Sequence, residues 1–383
     1  MLRPSPAGLL INLAFLSRRP TGHTNYALQV LPYLAALQPQ VLVPADQIEQ
    51  LAPLGAHPSA KTIGPAAVSI PPWESYAIAS NMTPDQRTWG HLRRLVWTQV
   101  RLPAIYRSTH ANLLFSPIPE APLDTNCRFV VTVHDLIPLH FGGRWSRLAT
   151  YFRYYVPRVL EQAVHILCNS QATMQDVQST FGIPADKLTV TPLGYDDRHF
   201  RDLALPTGNY FLCLGRHDRY KNIPRLINAF AALADPDCEL WLAGPSDRRY
   251  TPALHAQVAA LNLQQQVKFL DYVPYADLPR LLGQAIALVF PSLYEGFGLP
   301  VLEAMACGTP VITSDCSALP EVAGDAALLV NPHIEGEITE AMRGLLADAN
   351  LRSRLRQAGL ARVQGFSWAK TGAITREVLQ RYL

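Results

Sequence analysis

The chain has 383 residues, 49% of them hydrophobic and 16% charged, the composition of a folded globular protein rather than a disordered or fibrous one. Net charge is only +3, from 33 Lys and Arg against 30 Asp and Glu, which argues against a strongly basic nucleic-acid binder. No apolar run approaches the roughly 18–20 residues that span a bilayer, and at roughly 100–200 residues per domain the length favours two domains.

The first stretch, MLRPSPAGLLINLAFLSRRP, reads as a first strand. Its Pro-rich start and SRRP end do not make a signal peptide. Short apolar runs then alternate with helical patterns, which predicts parallel sheets with crossover helices. The first half carries strands at 8–15, 40–44, 113–117, 128–135, 163–170 and 188–194. The second half carries them at 209–215, 238–244, 267–273, 286–292, 309–315 and 326–331. Near-continuous hydrophobicity in these runs implies cover on both faces.

Helices are marked by their ends. Ser170 precedes a helical run that stops at Gly182, Pro224 opens another, and Pro300 opens a third that closes at Gly308. Two such α/β runs predict two Rossmann-like domains facing each other, 1–200 and 205–365, with a polar linker near 196–208. Residues 366–383 read as an amphipathic C-terminal helix capped by Ser367. The six cysteines (127, 168, 213, 238, 307, 316) form no CxxC pair, and read as buried free thiols of a cytoplasmic protein.

In open parallel sheets, ligands bind beyond the carboxyl ends of the strands. The richest such exit follows 286–292, as PSLYEGFGLPVLEAMACGTPVI. Glu295 lies in the loop, Gly296 and Gly298 allow close backbone approach, and a helix starting near Pro300 presents free N–H groups to an anion. Glu303 follows Glu295 by eight positions, so both carboxylates reach one pocket.

The stretch 290–332 resembles the signature of retaining glycosyltransferases of family 4, with two glutamates separated by seven residues and E-G-F-G-L-P at its start. That resemblance implies the two-domain GT-B architecture, with the C-terminal helix crossing back to the N-terminal domain. It implies that Glu295 contacts the donor sugar and Glu303 the ribose hydroxyls. Backbone N–H groups of Phe297, Gly298 and Leu299 would meet the sugar and diphosphate.

The exit YFLCLGRHDRYKN resembles the family's diphosphate-binding pair, Arg216 and Lys221, with Gly215 keeping the backbone close. Two cations there would neutralise a diphosphate leaving group without a metal. Gly244 ends the next strand at the nucleotide face, and Tyr272 to Pro274 would lie near the base. In the first half, His134 ends a strand as the family's sugar-contacting histidine does, and Asp135 orients its loop. After the first strand the family often has two adjacent glycines; here only Gly22 matches, which leaves the acceptor-side role of Arg18, Arg19 and His23 open.

Between Asp85 and Glu120 there is no acid, yet Arg87, Arg93, Arg94, Arg101 and Arg107 fall there. Trp89, Leu92, Val96 and Val100 recur at helical spacing, with Arg87, Arg94 and Arg101 seven apart on another face. The stripe is expected to pack on the core with its arginines in solvent. The alternative is a basic rim meeting anionic lipid or a lipid-diphosphate acceptor, a peripheral membrane contact of the N-terminal domain.

By resemblance, the chain transfers a sugar from a nucleotide sugar, of GDP-mannose or UDP-glucose type, to a saccharide or lipid-linked acceptor with retention. No Asp-x-Asp pair sits at a candidate strand exit, so neither metal nor cofactor is expected. A sugar-nucleotide epimerase of similar architecture and a non-catalytic sugar-nucleotide binder are the rival readings.

Overall fold

The structure is a computed structural model, and it describes residues 8–17, 21–56, 73–143 and 146–383. The chain divides into two compact units, Met1–Gly194 with Trp368–Leu383, and Tyr195–Ser367.

The first unit is built on β1 (Leu9–Asn12), β2 (Gln40–Pro44), β3 (Glu74–Ile78), β4 (Leu113–Ser116), β5 (Phe129–Val133), β6 (His165–Cys168) and β7 (Leu188–Val190). All pairings are parallel, in the order β3-β2-β1-β4-β5-β6-β7. The central strands β1, β2, β4, β5 and β6 are buried at every position, as their unbroken hydrophobic runs require. Strand β3 escaped the sequence reading because it is a mostly exposed edge, without the apolar run that marks its neighbours.

The second unit holds β8 (Tyr210–Leu214), β9 (Glu239–Ala243), β10 (Val267–Asp271), β11 (Ala287–Phe290), β12 (Val311–Ser314) and β13 (Leu328–Val330). It is also fully parallel, in the order β10-β9-β8-β11-β12-β13. Each unit has its own core. In the first, Phe129, Val131 and Ile166 meet Val156 and Leu160 from the covering helices. In the second, Phe211, Leu240 and Val289 meet Leu226, Phe230 and Met342. In both sheets the order reverses beside the first strand, between β1 and β4 and between β8 and β11. Those two reversals open crevices at the carboxyl ends of the strands.

The polar segment 196–208, expected as a linker, belongs to the second unit. The His199 ring stacks on Tyr275 at 3.9 Å, Phe200 is buried, and Asp202 pairs with Arg356. The final helix, Trp368–Tyr382, packs against α1 (Gly22–Val30) and the turn Leu31–Leu37 in the first unit. Thr371 Oγ1 donates to the Pro192 carbonyl at 2.6 Å, and Tyr382 Oη lies 3.0 Å from His165 Nδ1. All six cysteines are free; five are buried and Cys316 is half-buried.

Helix α2 (Arg87–Val100) reverses the expected orientation of its faces. Arg94 is buried, and its Nε lies 2.9 and 3.1 Å from the two carboxylate oxygens of Glu120, which is fully buried. Thr98 Oγ1 donates to the same carboxylate at 3.1 Å. Trp89, Leu92, Val96 and Val100 are exposed instead. A buried carboxylate demands a cation, so Arg94 sets the rotation of the helix and the apolar stripe is turned outward. Nothing is described of the Arg87 side chain.

Candidate active site

The reversal in the second sheet puts the ends of β8 and β11 side by side, and the two chemically richest loops leave from them. After β8 comes Gly215 and after β9 Gly244, with φ of +145° and +147°. A Cβ on Gly244 would lie 2.0 Å from the Gly215 carbonyl oxygen, so only glycine lets the two strand exits touch. Lys221 closes the short turn Arg219–Lys221, two positions before the helix Ile223–Leu233 begins.

Between them stands Asn222, left-handed at φ 60° and buried. Its Nδ2 donates to the carbonyls of Pro291 (3.1 Å) and Pro332 (2.7 Å), tying the β8 exit to the loops after β11 and β13. That clamp aims Lys221 along Gly215. Lys221 Nζ reaches Glu295 Oε1 at 2.6 Å and sits 4.4 Å from the centre of the Phe290 ring.

Glu295 is fixed from the other side by Ser317. Its N–H donates to Ser317 Oγ at 2.9 Å, and that hydroxyl donates to the Glu295 carbonyl at 3.2 Å. Gly298 then caps the helix Leu299–Ala306 at φ +107°, where a Cβ would meet Leu319 Cδ2 at 2.7 Å. The backbone from Phe297 to Leu299 therefore enters the helix along a path that a side chain at 298 would obstruct. Helix N-termini of this kind attract anions. Glu303, half-buried on that helix, has its carboxyl raised to about 7, by burial first and by the Asp196 carboxylate second.

Arg216 is largely exposed, and its guanidinium lies 3.6 Å from Asp218 and 3.7 Å from Asp247. Asp247 also takes Arg249 at 2.8 Å, and hydrogen bonding from Arg249 holds its carboxyl down at about 2. Tyr272, just past β10, is exposed.

In the first unit, His134 follows β5 and is buried. Its Nε2 lies 2.9 Å from the Pro117 carbonyl beyond β4, and its own carbonyl accepts from Asn169 Nδ2 at 2.8 Å. The ring meets Tyr26 edge-on at 4.7 Å and His23 at 4.8 Å. Burial, followed by the neighbouring His23, pushes its pKa down to about 3, so the ring is neutral and Nε2–H donates to Pro117. Asp135 Oδ1 accepts the Ile137 N–H at 3.0 Å, which orders the loop as expected. Gly22 is the first residue of α1, capped by Thr21, with open space where a Cβ would be. Arg18 and Arg19 lie outside the described residues.

Arg216, Lys221, Gly215, Gly244, Glu295, the run Gly296 to Leu299 and Glu303 thus all belong to the second unit, and His134 and Gly22 to the first. Direct contact is made by Lys221 with Glu295 and by Gly215 with Gly244. Sequence reasoning missed Asn222 as a clamp, Ser317 as the support of Glu295, and the Asp218–Asp247–Arg249 group around Arg216. Asn222 and Ser317 bond to partners 69 and 22 residues away, and Arg249 reaches Asp218 from 31 residues downstream; of these only Asn222, just ahead of a Pro-started helix, carries a local signal. Among the described residues, no group of three His, Cys, Asp or Glu side chains is arranged to hold a metal ion.

Two parallel-sheet units, one with two cations, a paired carboxylate and a helix N-terminus at its switch point, define the class of Rossmann-like enzymes that act on anionic nucleotide-type ligands. Residues 196–362 match the model of glycosyl transferases group 1, and residues 20–199 match that of glycosyltransferase family 4. The chain belongs to this glycosyltransferase family and has its GT-B fold.

Among its relatives, the O-antigen chain mannosyltransferase RfbU of Salmonella typhimurium is 29% identical, over 88% of this chain and 90% of its own. The MMP alpha-(1->4)-mannosyltransferase of Mycolicibacterium hassiacum is 32% identical, over 63% of this chain and 61% of its own. Sucrose-phosphate synthase from Thermosynechococcus elongatus shares the fold with a TM-score of 0.74 and 21% identity, covering 100% of this chain and 99% of its own. Anabaena Alr3699/HepE, solved in complex with UDP-glucose, shares it with a TM-score of 0.70 and 18% identity, covering 97% and 99%.

Proposed function

We propose that the protein is a retaining hexosyltransferase that needs no metal or cofactor. It takes a sugar from a nucleotide diphosphate donor and places it on a hydroxyl of a saccharide or lipid-linked acceptor, in polysaccharide or glycolipid synthesis. The relatives named mannosyltransferases favour a mannosyl donor of GDP-mannose type, with UDP-glucose as the next donor to test.

The observation that carries this reading is the Lys221–Glu295 pair beside the Gly298 helix start, at the β8/β11 reversal. A diphosphate entering there meets Lys221, Arg216 and the N–H groups of Phe297, Gly298 and Leu299, which stabilise charge as the leaving group departs. Glu295, released from Lys221 by that phosphate, turns to the sugar hydroxyls. Glu303 accepts from the ribose. Gly215, Gly244 and Gly296 keep the backbone close to the nucleotide. His134, neutral, takes the sugar-holding role that the family motif assigns to it, and Gly22 lies at the start of α1 where the family motif has its first glycine.

In the reaction, the acceptor oxygen bonds to the anomeric carbon on the face from which the diphosphate leaves. The bond from that carbon to the diphosphate oxygen breaks, its electron pair stays with the diphosphate, and the acceptor proton passes to it. Protein side chains contribute position and charge rather than a covalent step. No helix among the described residues is long and apolar enough to cross a membrane. We place the enzyme in the cytoplasm, touching the membrane peripherally through the first unit.

The test is a panel of nucleotide sugars, screened first by thermal stabilisation and then by release of nucleoside diphosphate with and without acceptor. Transfer with retained anomeric configuration, lost in Glu295→Ala and Arg216→Ala, is expected. Full transfer by both variants, or conversion of donor to an isomer without acceptor, would overturn the reading.

A further inference from the structure

Helix α2 exposes what a soluble surface normally covers. Trp89 is 68% exposed and Val100 65%, with Leu92 and Val96 between them on the same stripe. The buried face of the helix is occupied instead by Arg94 and Thr98 on Glu120. Beside the stripe, between α2 and the helix Arg147–Tyr154, runs a groove of about 870 Å³. Its walls include Leu92, Val96, Leu123, Tyr151 and Tyr154. Gln99 and Tyr155, two of its polar lining residues, are already satisfied: Gln99 Nε2 donates to Tyr155 Oη at 3.0 Å, and Tyr155 donates to the Ala121 carbonyl at 2.6 Å. An apolar chain entering the groove leaves these bonds intact.

The charged side chains that line the groove are both arginines. Arg147 and Arg158 line the groove, and Arg93 and Arg101 are exposed along α2, which has no acidic residue. Arg158 is paired with Asp124 at 2.6 Å; Arg93, Arg101 and Arg147 have no ion pair among the described residues. A second copy of this face would set arginine against arginine, so the surface disfavours self-association. An apolar ridge with Trp and Tyr beside guanidinium groups matches an element lying in the plane of lipid headgroups.

We propose that this face docks on a leaflet of anionic phospholipid, with an acyl chain in the groove and lipid phosphates on Arg93, Arg101 and Arg147. It deepens the peripheral membrane contact proposed above and rests on it. Its partner is hydrocarbon first and phosphate second, whereas the sequence alone pointed to a basic rim.

Vesicle sedimentation tests it, with the full chain, on phosphatidylcholine vesicles with and without phosphatidylglycerol. The wild type is expected to bind the anionic vesicles at least tenfold more tightly. Trp89→Ser with Val96→Ser and Val100→Ser should lose tenfold or more of that binding. These residues are exposed, so the melting temperature and its shift with nucleotide stay as in the wild type. Phosphatidylglycerol brominated on its acyl chains should quench part of the tryptophan emission, and Trp89→Phe should remove that part.

If the wild type binds no vesicle, the membrane contact itself fails. If it binds and the triple variant binds equally, or if Trp89→Phe leaves the quenching unchanged, the contact stands and this docking face is wrong. A dimer that forms without lipid and is lost in the triple variant would also overturn it.

Discussion

Lys221 Nζ lies 2.6 Å from Glu295 Oε1, joining the loop after β8 to the loop after β11, and each side chain is only 11% exposed. A pair this sheltered holds each charge in place by means of the other. Glu295→Ala and Lys221→Ala are each expected to lower kcat by about 10²–10³-fold, the scale of losing one preorganised charge. Each leaves its partner uncompensated, so both should also lower the melting temperature. The double variant should recover much of the thermal loss and none of the activity, which separates the structural part of the pair from the chemical part.

Arg216 behaves differently because its side chain is 61% exposed and only loosely held by Asp218 and Asp247. Arg216→Ala should change stability by no more than about 0.5 kcal/mol in thermal unfolding. Its turnover should fall by about 10²-fold. A large melting shift with activity preserved would place Arg216 in the scaffold rather than the site.

Glu303 gives a pH signature. Its carboxyl is raised from 4.5 to about 7, so the folded state favours the protonated form. The stability this supplies is fully present below pH 4.5 and is lost as pH rises through about 7. Glu303→Gln cannot ionise. Its melting temperature relative to wild type should therefore rise across that window, by several °C at pH 8 against pH 4.5. A difference that stays flat with pH would show that Glu303 titrates normally.

Arg94 and Glu120 form the buried pair that orients α2. Arg94→Ala, measured by urea unfolding, should cost about 3–5 kcal/mol because it strands a fully buried carboxylate. Arg94→Met with Glu120→Leu should restore most of that loss.

Gly298 has φ +107°, and a Cβ there would press on Leu319. Gly298→Ala should cost about 1–3 kcal/mol of stability through backbone strain, read by thermal unfolding. Nucleotide affinity should weaken with it, because the Phe297–Leu299 backbone shifts.

Much of the fold was legible in the chain because its signals are local. The central strands, buried on both faces, are unbroken apolar runs, and Ser170 and Gly182 mark helix ends by their own side-chain and backbone chemistry. The glutamate loop was legible for the same reason: Glu295, Gly298 and Glu303 lie within nine consecutive residues. A polar stretch such as 196–208 gives no hint that its His199 stacks on Tyr275, 76 residues away.

The amino-acid order by itself therefore determined two α/β units, the glycine-lined strand exits and the carboxylates and cations that leave from them. Only the tertiary structure decided which of these meet. The β8/β11 reversal and the Asn222 clamp put Lys221 on Glu295, and Ser317 holds the Glu295 backbone from 22 residues downstream. The orientation of α2 was decided in the same way. Periodicity shows that a helix has two faces, but which face is buried depends on the partner available. Here the partner is Glu120, a buried charge whose desolvation only Arg94 offsets.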